Sequence, residues 1–242
     1  MAEASALELI DVSVARGGKL LLSGVAFTAP PGAFLALRGP NGSGKTSLLR
    51  AVAGLARLHG GDVRFGDLSR SADPEAFREA ILYGGHLDAV KPSLTVRENL
   101  SFWTKFYRTK DAADRTQAAL ERFGLDGMAE VPAGQCSAGQ KRRLGLARLA
   151  ACDRPVWLLD EPTVSLDAAS VEQLSTLVAE HCLRGGAAIA ATHQDFAISE
   201  SRSVDVGAFK PRAETWSGGA AQDDPFLQGF DRDLGEKPTG GR

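Results

Sequence analysis

Eight consecutive residues, Gly39-Pro40-Asn41-Gly42-Ser43-Gly44-Lys45-Thr46, have the spacing G-x-x-x-x-G-K-[ST]. Glycines at these places let a backbone close on a phosphate without a Cβ in the way. Lys45 adds a positive charge for the outer phosphates, and Thr46 adds a hydroxyl that can ligate Mg²⁺. The flanks supply the context this chemistry needs. Ala33 to Leu37 are all apolar and predict a buried strand. Ser47 to Leu58 predicts a helix, with Leu48, Leu49, Val52, Leu55 and Leu58 near helical spacing. A glycine loop between a strand and a helix turns its free amides and the helix N-terminus toward one anion.

A second group follows. Val156-Trp157-Leu158-Leu159 reads as a buried strand that ends in Asp160-Glu161-Pro162. In open α/β sheets, ligands sit at the carboxyl ends of strands. Asp160 there would face a metal held by Thr46, and Glu161 would stand where it can orient or deprotonate a water attacking the terminal phosphate. A third group, Cys136-Ser137-Ala138-Gly139-Gln140-Lys141-Arg142-Arg143, is a loop that runs into a helix. Ser137 and Gly139 at its start offer a hydroxyl and an amide to an anion.

The elements that must position these groups read as an α/β chain. Leu7 to Val14 and Leu20 to Ala29 predict two early strands, with Pro30-Pro31-Gly32 turning into the loop strand. His59 to Asp62 predicts a turn, and Val63 to Phe65 a short strand. Asp73 to Arg78 starts a helix, Ala80 to Tyr83 predicts a strand, and Leu94 to Leu146 is mostly helical. Ala168 to Cys182 predicts a helix, Ala187 to Ala191 a buried strand, and Asp205 to Phe209 a last strand. Alternating strands and helices argue for a parallel sheet covered by helices. The fold class is therefore α/β, with a parallel core, a small antiparallel β layer and an inserted helical lobe at about 86–150; with the Gly39 loop it resembles a P-loop NTPase with a RecA-like core. The main domain is expected over 1–215, and the Gly-, Asp- and Pro-rich segment 216–242 is expected to be a weakly ordered tail.

Composition bounds what such a chain can be. Its 242 residues are 43% hydrophobic and 24% charged, as in globular proteins. A net charge of −2 gives no global signal for nucleic acid. No apolar run approaches the roughly 18–20 residues that span a bilayer. The opening Met1 to Ala6 lacks a basic region and a long apolar run, so no secretory signal is expected. Cys136, Cys152 and Cys182 are widely spaced and form no C-x-x-C pair, which fits free thiols in a reducing compartment.

Taken together, the loop at Gly39, the Ser137-Ala138-Gly139-Gln140 stretch and the Asp160-Glu161 strand resemble an ATP-binding cassette (ABC) transporter ATPase subunit, over about 7–212. The resemblance implies ATP and Mg²⁺ as cofactors and a head-to-tail homodimer. Each ATP would lie between the loop of one subunit and Ser137, Gly139 and Gln140 of the other. Cys136 and Ala138 depart mildly from the family's usual LSGGQ. Ser165-Leu166-Asp167 resembles the loop that communicates across the dimer, and His193 the histidine that contacts the γ-phosphate. His86 stands where the family has a glutamine that touches Mg²⁺ and water; an imidazole can ligate or hydrogen-bond, but it is not an amide. Arg16 stands where the family stacks an aromatic on adenine; a guanidinium can also stack on a flat base.

Within that family, Gly85-His86, Lys91-Pro92-Ser93-Leu94-Thr95 and Glu98-Asn99-Leu100-Ser101-Phe102 are similar to the haem exporter ATPases of bacterial cytochrome c maturation. That likeness implies separate integral-membrane subunits docking near His86 to Trp103, and a peripheral position on the cytoplasmic face of the inner membrane. ATP hydrolysis would drive release of haem from a chaperone beyond the membrane. An exporter of a drug, lipid or polysaccharide of the ABC-2 type shares the cassette. A soluble ABC ATPase acting on nucleic acid or ribosomes usually carries a second cassette, coiled-coil insertions or basic linkers, and none is read here.

Overall fold

The computed structural model describes residues 5–85, 89–193, 196, 198 and 201–211. The chain opens with a hairpin, β1 (Leu7–Arg16) and β2 (Lys19–Ala29), in which Leu7 faces Ala29 and Arg16 faces Lys19. Leu7, Leu9, Val12 and Val14 of β1 are buried together with Leu22 and Val25 of β2, so one face of the hairpin is core. β4 (Gly60–Phe65) and β5 (Leu68–Ser69) extend this antiparallel sheet in the order β2-β1-β4-β5. The turn expected at His59 to Asp62 is instead the start of β4. Gly61 sits at φ +73° against a register shift in β1, and a Cβ there would lie 2.2 Å from the Ile10 carbonyl oxygen. The glycine pair therefore allows a close, bulged pairing where composition alone suggests a turn.

The second sheet is parallel and carries the site. Its order is β6-β7-β8-β3-β9, with β3 Phe34–Arg38, β6 Ile81–Gly84, β7 Val156–Asp160, β8 Ala187–Ala191 and β9 Arg202–Asp205. Every residue of β7 and β8 is buried, as expected of central strands covered on both faces. The period of two divides them. Phe34, Ala36, Leu82, Trp157, Leu159, Ala188 and Ala190 join one buried cluster. Leu35, Leu37, Ile81, Val156, Leu158 and Ile189 join the other, with the antiparallel sheet, α1 (Lys45–Val52) and Phe77 of α2 (Pro74–Glu79). The first face is covered by α6 (Ala168–Leu183) and by the helices that intervene between β6 and β7. These are α3 (Val96–Phe106), α4 (Ala112–Arg122) and α5 (Ala138–Ala151), which pack on one another. Leu100, Leu120 and Leu144 share the cluster of Trp157 and Leu159.

Two expected elements differ. The helix after the glycine loop ends at Val52 rather than Leu58. The Leu55 amide donates to the Arg50 carbonyl and the Gly54 amide to the Ala51 carbonyl, a Schellman closure. Leu55 is half exposed, so the apolar period outlasted the helix that it suggested. The last strand is Arg202–Asp205, and Val206–Phe209 is a 3-10 turn. The Asp205 carboxylate accepts from the Gly207 amide at 2.8 Å and turns the backbone out of the sheet. His86 and the segment 216–242 lie outside the described residues.

Candidate nucleotide site

Residues 39–46 leave the carboxyl end of β3 and enter α1. The glycine before the helix, Gly44, is at φ +100°, and a Cβ there would stand 3.1 Å from Leu22 of β2. Only glycine accepts that conformation at low cost, so the loop can hold its curve against the hairpin. Lys45 is buried, and its ammonium donates to the carbonyls of Gly39 at 2.7 Å and Pro40 at 3.2 Å. The charge is thus held inside the curve of the loop. The first amides of α1 have no intrahelical acceptor and add to the positive end of the helix dipole.

Asp160 ends β7 and is buried. Thr46 Oγ1 donates to its Oδ1 at 2.9 Å, and the Tyr83 hydroxyl of β6 donates to its Oδ2 at 3.2 Å. Burial, and then the Asp160 charge, push the Tyr83 phenol up from its ordinary value, so it stays a donor. Glu161 follows at φ +46°, and its amide donates to the Ala191 carbonyl of β8 at 2.8 Å. His193, just past the end of β8, has Nε2 3.5 Å from Glu161 Oε1 and 3.0 Å from Asn41 Oδ1. With the proton on Nε2, the imidazole donates to Asn41 and leans toward Glu161. Lys45, Thr46, Asp160, Glu161, His193 and Asn41 therefore meet where β3, β7 and β8 end.

The family model for ABC transporters matches residues 22–164, more than half of the chain. This chain belongs to the ABC transporter family. It is 47% identical to the cytochrome c biogenesis ATP-binding export protein CcmA of Cereibacter sphaeroides, over 91% of this chain and 97% of that protein. Its identity to the protein of the same name from Paracoccus denitrificans is 48%, over 84% and 90% of the two chains. For Rhodobacter capsulatus the identity is 46%, over 93% and 97%. Among solved structures, an ABC transporter ATP-binding protein from Pyrococcus furiosus superposes with a TM-score of 0.74 at 22% identity, over 85% of this chain and all of that one. An ATP-binding subunit of an ABC transporter gives 0.75 at 22%, over 83% and 86%. At that identity the likeness concerns the fold, and it agrees with the expected α/β architecture.

The remaining residues singled out in this ABC ATPase lie apart from the first group. Ser137 caps α5. Its hydroxyl accepts from the Gln140 amide at 3.2 Å, and Gln140 Oε1 accepts from the Ser137 amide at 2.7 Å. This capping box leaves the Ser137 proton available to an outside acceptor. Ser137, Gly139 and Gln140 line a cleft of about 230 Å³ with Arg143, Ser165 and Asp167, and no residue of 39–46 lines it. Asp167 caps α6 through the Ser170 amide at 2.8 Å. Hydrogen bonds from Ser170 hold the Asp167 carboxyl below the ordinary carboxylate range. Arg16 ends β1 and is exposed beside the turn. Among the described residues its side chain makes no hydrogen bond, so the structure does not join it to the loop. Sequence reading missed Tyr83, which it took only as part of an apolar run. It quoted Arg142 without a role, although Arg142 is almost wholly buried. Nothing local marks that burial, since Arg142 stands between Lys141 and Arg143 in a basic run that reads as helix surface.

Proposed function

We propose that this ABC ATPase is the ATP-hydrolysing subunit of an exporter serving cytochrome c biogenesis, with haem as the cargo. The observation that carries the ATPase part is the meeting of Lys45, Thr46, Asp160, Glu161 and His193 at the ends of three adjacent strands. The haem part rests on near-half identity to proteins named for that system, over almost their whole length.

The site suits Mg²⁺ bound mainly by phosphate and water. Its fixed donors are hard oxygens, the Thr46 hydroxyl and the Asp160 carboxylate, already in line with each other at 2.9 Å. Among the described residues no cluster of three or more His, Cys, Asp or Glu could cage a metal, which fits an ion shared with a nucleotide. When bound, the ion neutralises charge on the β- and γ-phosphates. Lys45 and the free backbone amides of the glycine loop hold those phosphates. Glu161 orients the attacking water and takes its proton, and His193 contacts the γ-phosphate. Ser137, Gly139 and Gln140 line a cleft with Asp167 that no residue of 39–46 enters, and in this reading they serve the nucleotide of a second copy. Donors placed on developing charge are worth about 10²–10³ in rate each. ATP then forms part of the interface of a homodimer.

No helix among the described residues is long and apolar enough to cross a membrane. By likeness to the export proteins of that system, separate membrane subunits carry the path, and this subunit acts on the cytoplasmic face of the inner membrane. The haem chaperone is reached only through those subunits. A deletion strain tests the assignment. It should lose covalently haem-bearing c-type cytochromes while keeping its b-type haem proteins, and normal c-type cytochromes would refute haem export.

A further inference from the structure

Arg142 is 4% exposed and lies in the second turn of α5, just after the Ser137 cap. Its guanidinium spans two carbonyls that belong to different elements. NH1 donates to the Gly85 carbonyl at 3.0 Å, one residue past the end of β6. NH2 donates to the Glu161 carbonyl at 2.7 Å, directly on the residue assigned as general base. Glu161 is a non-glycine residue at φ +46°, and such a conformation persists only when its surroundings over-determine it. The surroundings here can be named. The Glu161 amide is tied to β8 through the Ala191 carbonyl, and its own carbonyl is tied to α5 through Arg142. With both ends of the residue fixed, the side chain projects toward His193. A guanidinium suits this role because two of its N–H groups diverge in a rigid plane, whereas an ammonium is a point charge on a flexible stem.

We propose that Arg142 is a positioning residue for hydrolysis: it joins the N-terminal part of α5 to the backbone of Glu161 and so holds the Glu161 carboxylate at the attacking water. This rests on the reading of Glu161 as the base. The effect of Arg142 passes through the Glu161 backbone, which its guanidinium holds directly.

The test compares Arg142→Lys and Arg142→Gln with the native chain and with Glu161→Gln. Steady-state ATPase gives kcat and KM, a fluorescent ATP analogue gives nucleotide affinity, and thermal melts report folding. Misplacing a reacting group by about 1 Å can cost about 10²-fold, so kcat should fall roughly 10- to 100-fold in both Arg142 variants. Nucleotide affinity should stay within about twofold, since a change confined to kcat marks an interaction of the transition state. In the Glu161→Gln background, Arg142→Lys should leave the residual single-turnover rate unchanged, because residues that act as a unit are not additive. A kcat within about twofold of native in both variants overturns the proposal. So does a full further loss in the Glu161→Gln background. Equal losses of kcat and nucleotide affinity with lowered melting would instead mark a structural role and also overturn it. Full turnover by Glu161→Gln alone is a different result: it removes the base assignment itself, leaving Arg142 nothing to position.

Discussion

The Thr46 hydroxyl donates to Asp160 Oδ1 at 2.9 Å across 114 residues of chain and across an intervening strand. β8 lies between β3 and β7, so these two groups do not belong to neighbouring strands. Their contact depends on how far α1 and the end of β7 project beyond the sheet. The Tyr83 hydroxyl fixes the other carboxylate oxygen from the far side. Asp160 is thereby held by one hydroxyl from each flank.

Tyr83→Phe removes one of those hydroxyls and keeps the ring. Loss of a partner that orients a metal ligand typically costs about 10- to 100-fold in metal affinity. We expect the Mg²⁺ concentration for half-maximal ATPase to rise by roughly tenfold. Metal-free ATP binding should be unchanged. An Mg²⁺ titration that overlays the native curve would remove Tyr83 from the metal site.

Glu161→Gln should keep ATP binding and lose most turnover, because an amide cannot accept the proton of the attacking water. ATP would then accumulate in the interface. Size-exclusion chromatography with ATP and Mg²⁺ should show a dimer for this variant and mostly monomer without nucleotide. A monomer under both conditions would contradict a nucleotide-built interface.

The separation of the Ser137 cleft from the Lys45 loop predicts complementation between chains. Lys45→Ala should weaken ATP binding, and Gly139→Asp should repel the triphosphate with a like charge. Each homodimer should be inactive. A mixture of the two forms some heterodimers with one intact site, and it should recover part of the turnover. No recovery over a range of mixing ratios would argue that each chain completes its own site.

His181 gives a stability prediction. Its ring stacks on Trp157, with centroids 3.8 Å apart and planes 6° apart. Burial holds it neutral and lowers its pKa to about 4 from an ordinary value near 6.5. The unfolded chain therefore binds a proton that the folded chain refuses between these values. Stability from this group is complete above pH ~6.5 and is lost as pH falls toward ~4, by about 3 kcal/mol in total. His181→Phe keeps a flat ring and cannot titrate. Urea midpoints from pH 7 to 4 should fall less steeply for that variant than for the native chain. Parallel curves would show that His181 does not titrate in this window.

Much of the sheet could be read from local sequence because its central strands are buried on both faces. VWLLD and AAIAA carry no polar interruption before their ends, and each ends in residues that reach the site. The glycine loop was equally legible, since its function needs particular residue types at fixed spacing. Strand order was not legible: nothing local in Ala187 to Ala191 says that it lies between β3 and β7. The end of α1 was hidden because Leu55 and Leu58 continue an apolar period past the Gly54 closure. β9 was misplaced by several residues because its pairing with Leu35 to Arg38 is remote, whereas the Asp205 turn is local. Tyr83 and Arg142 escaped for a shared reason. Each acts through one hydrogen-bonding tip at the end of a body that looks like core or helix surface.

The place of β3 has a consequence for biosynthesis. Leu35 is paired with Ile189 on one side and with Arg202 on the other, so both neighbours of the loop-bearing strand come late in the sequence. A nascent chain that ends before Ala187 holds β3 with no strand on either edge. At ~5–20 residues per second, the ribosome takes roughly 7–30 s to travel from the end of β3 to the start of β8. During that time an apolar strand with open edges can pair wrongly, and the ATP site does not yet exist. The architecture that sets the catalytic groups side by side also makes the nucleotide a ligand that a growing chain cannot bind before β8 and β9 are made.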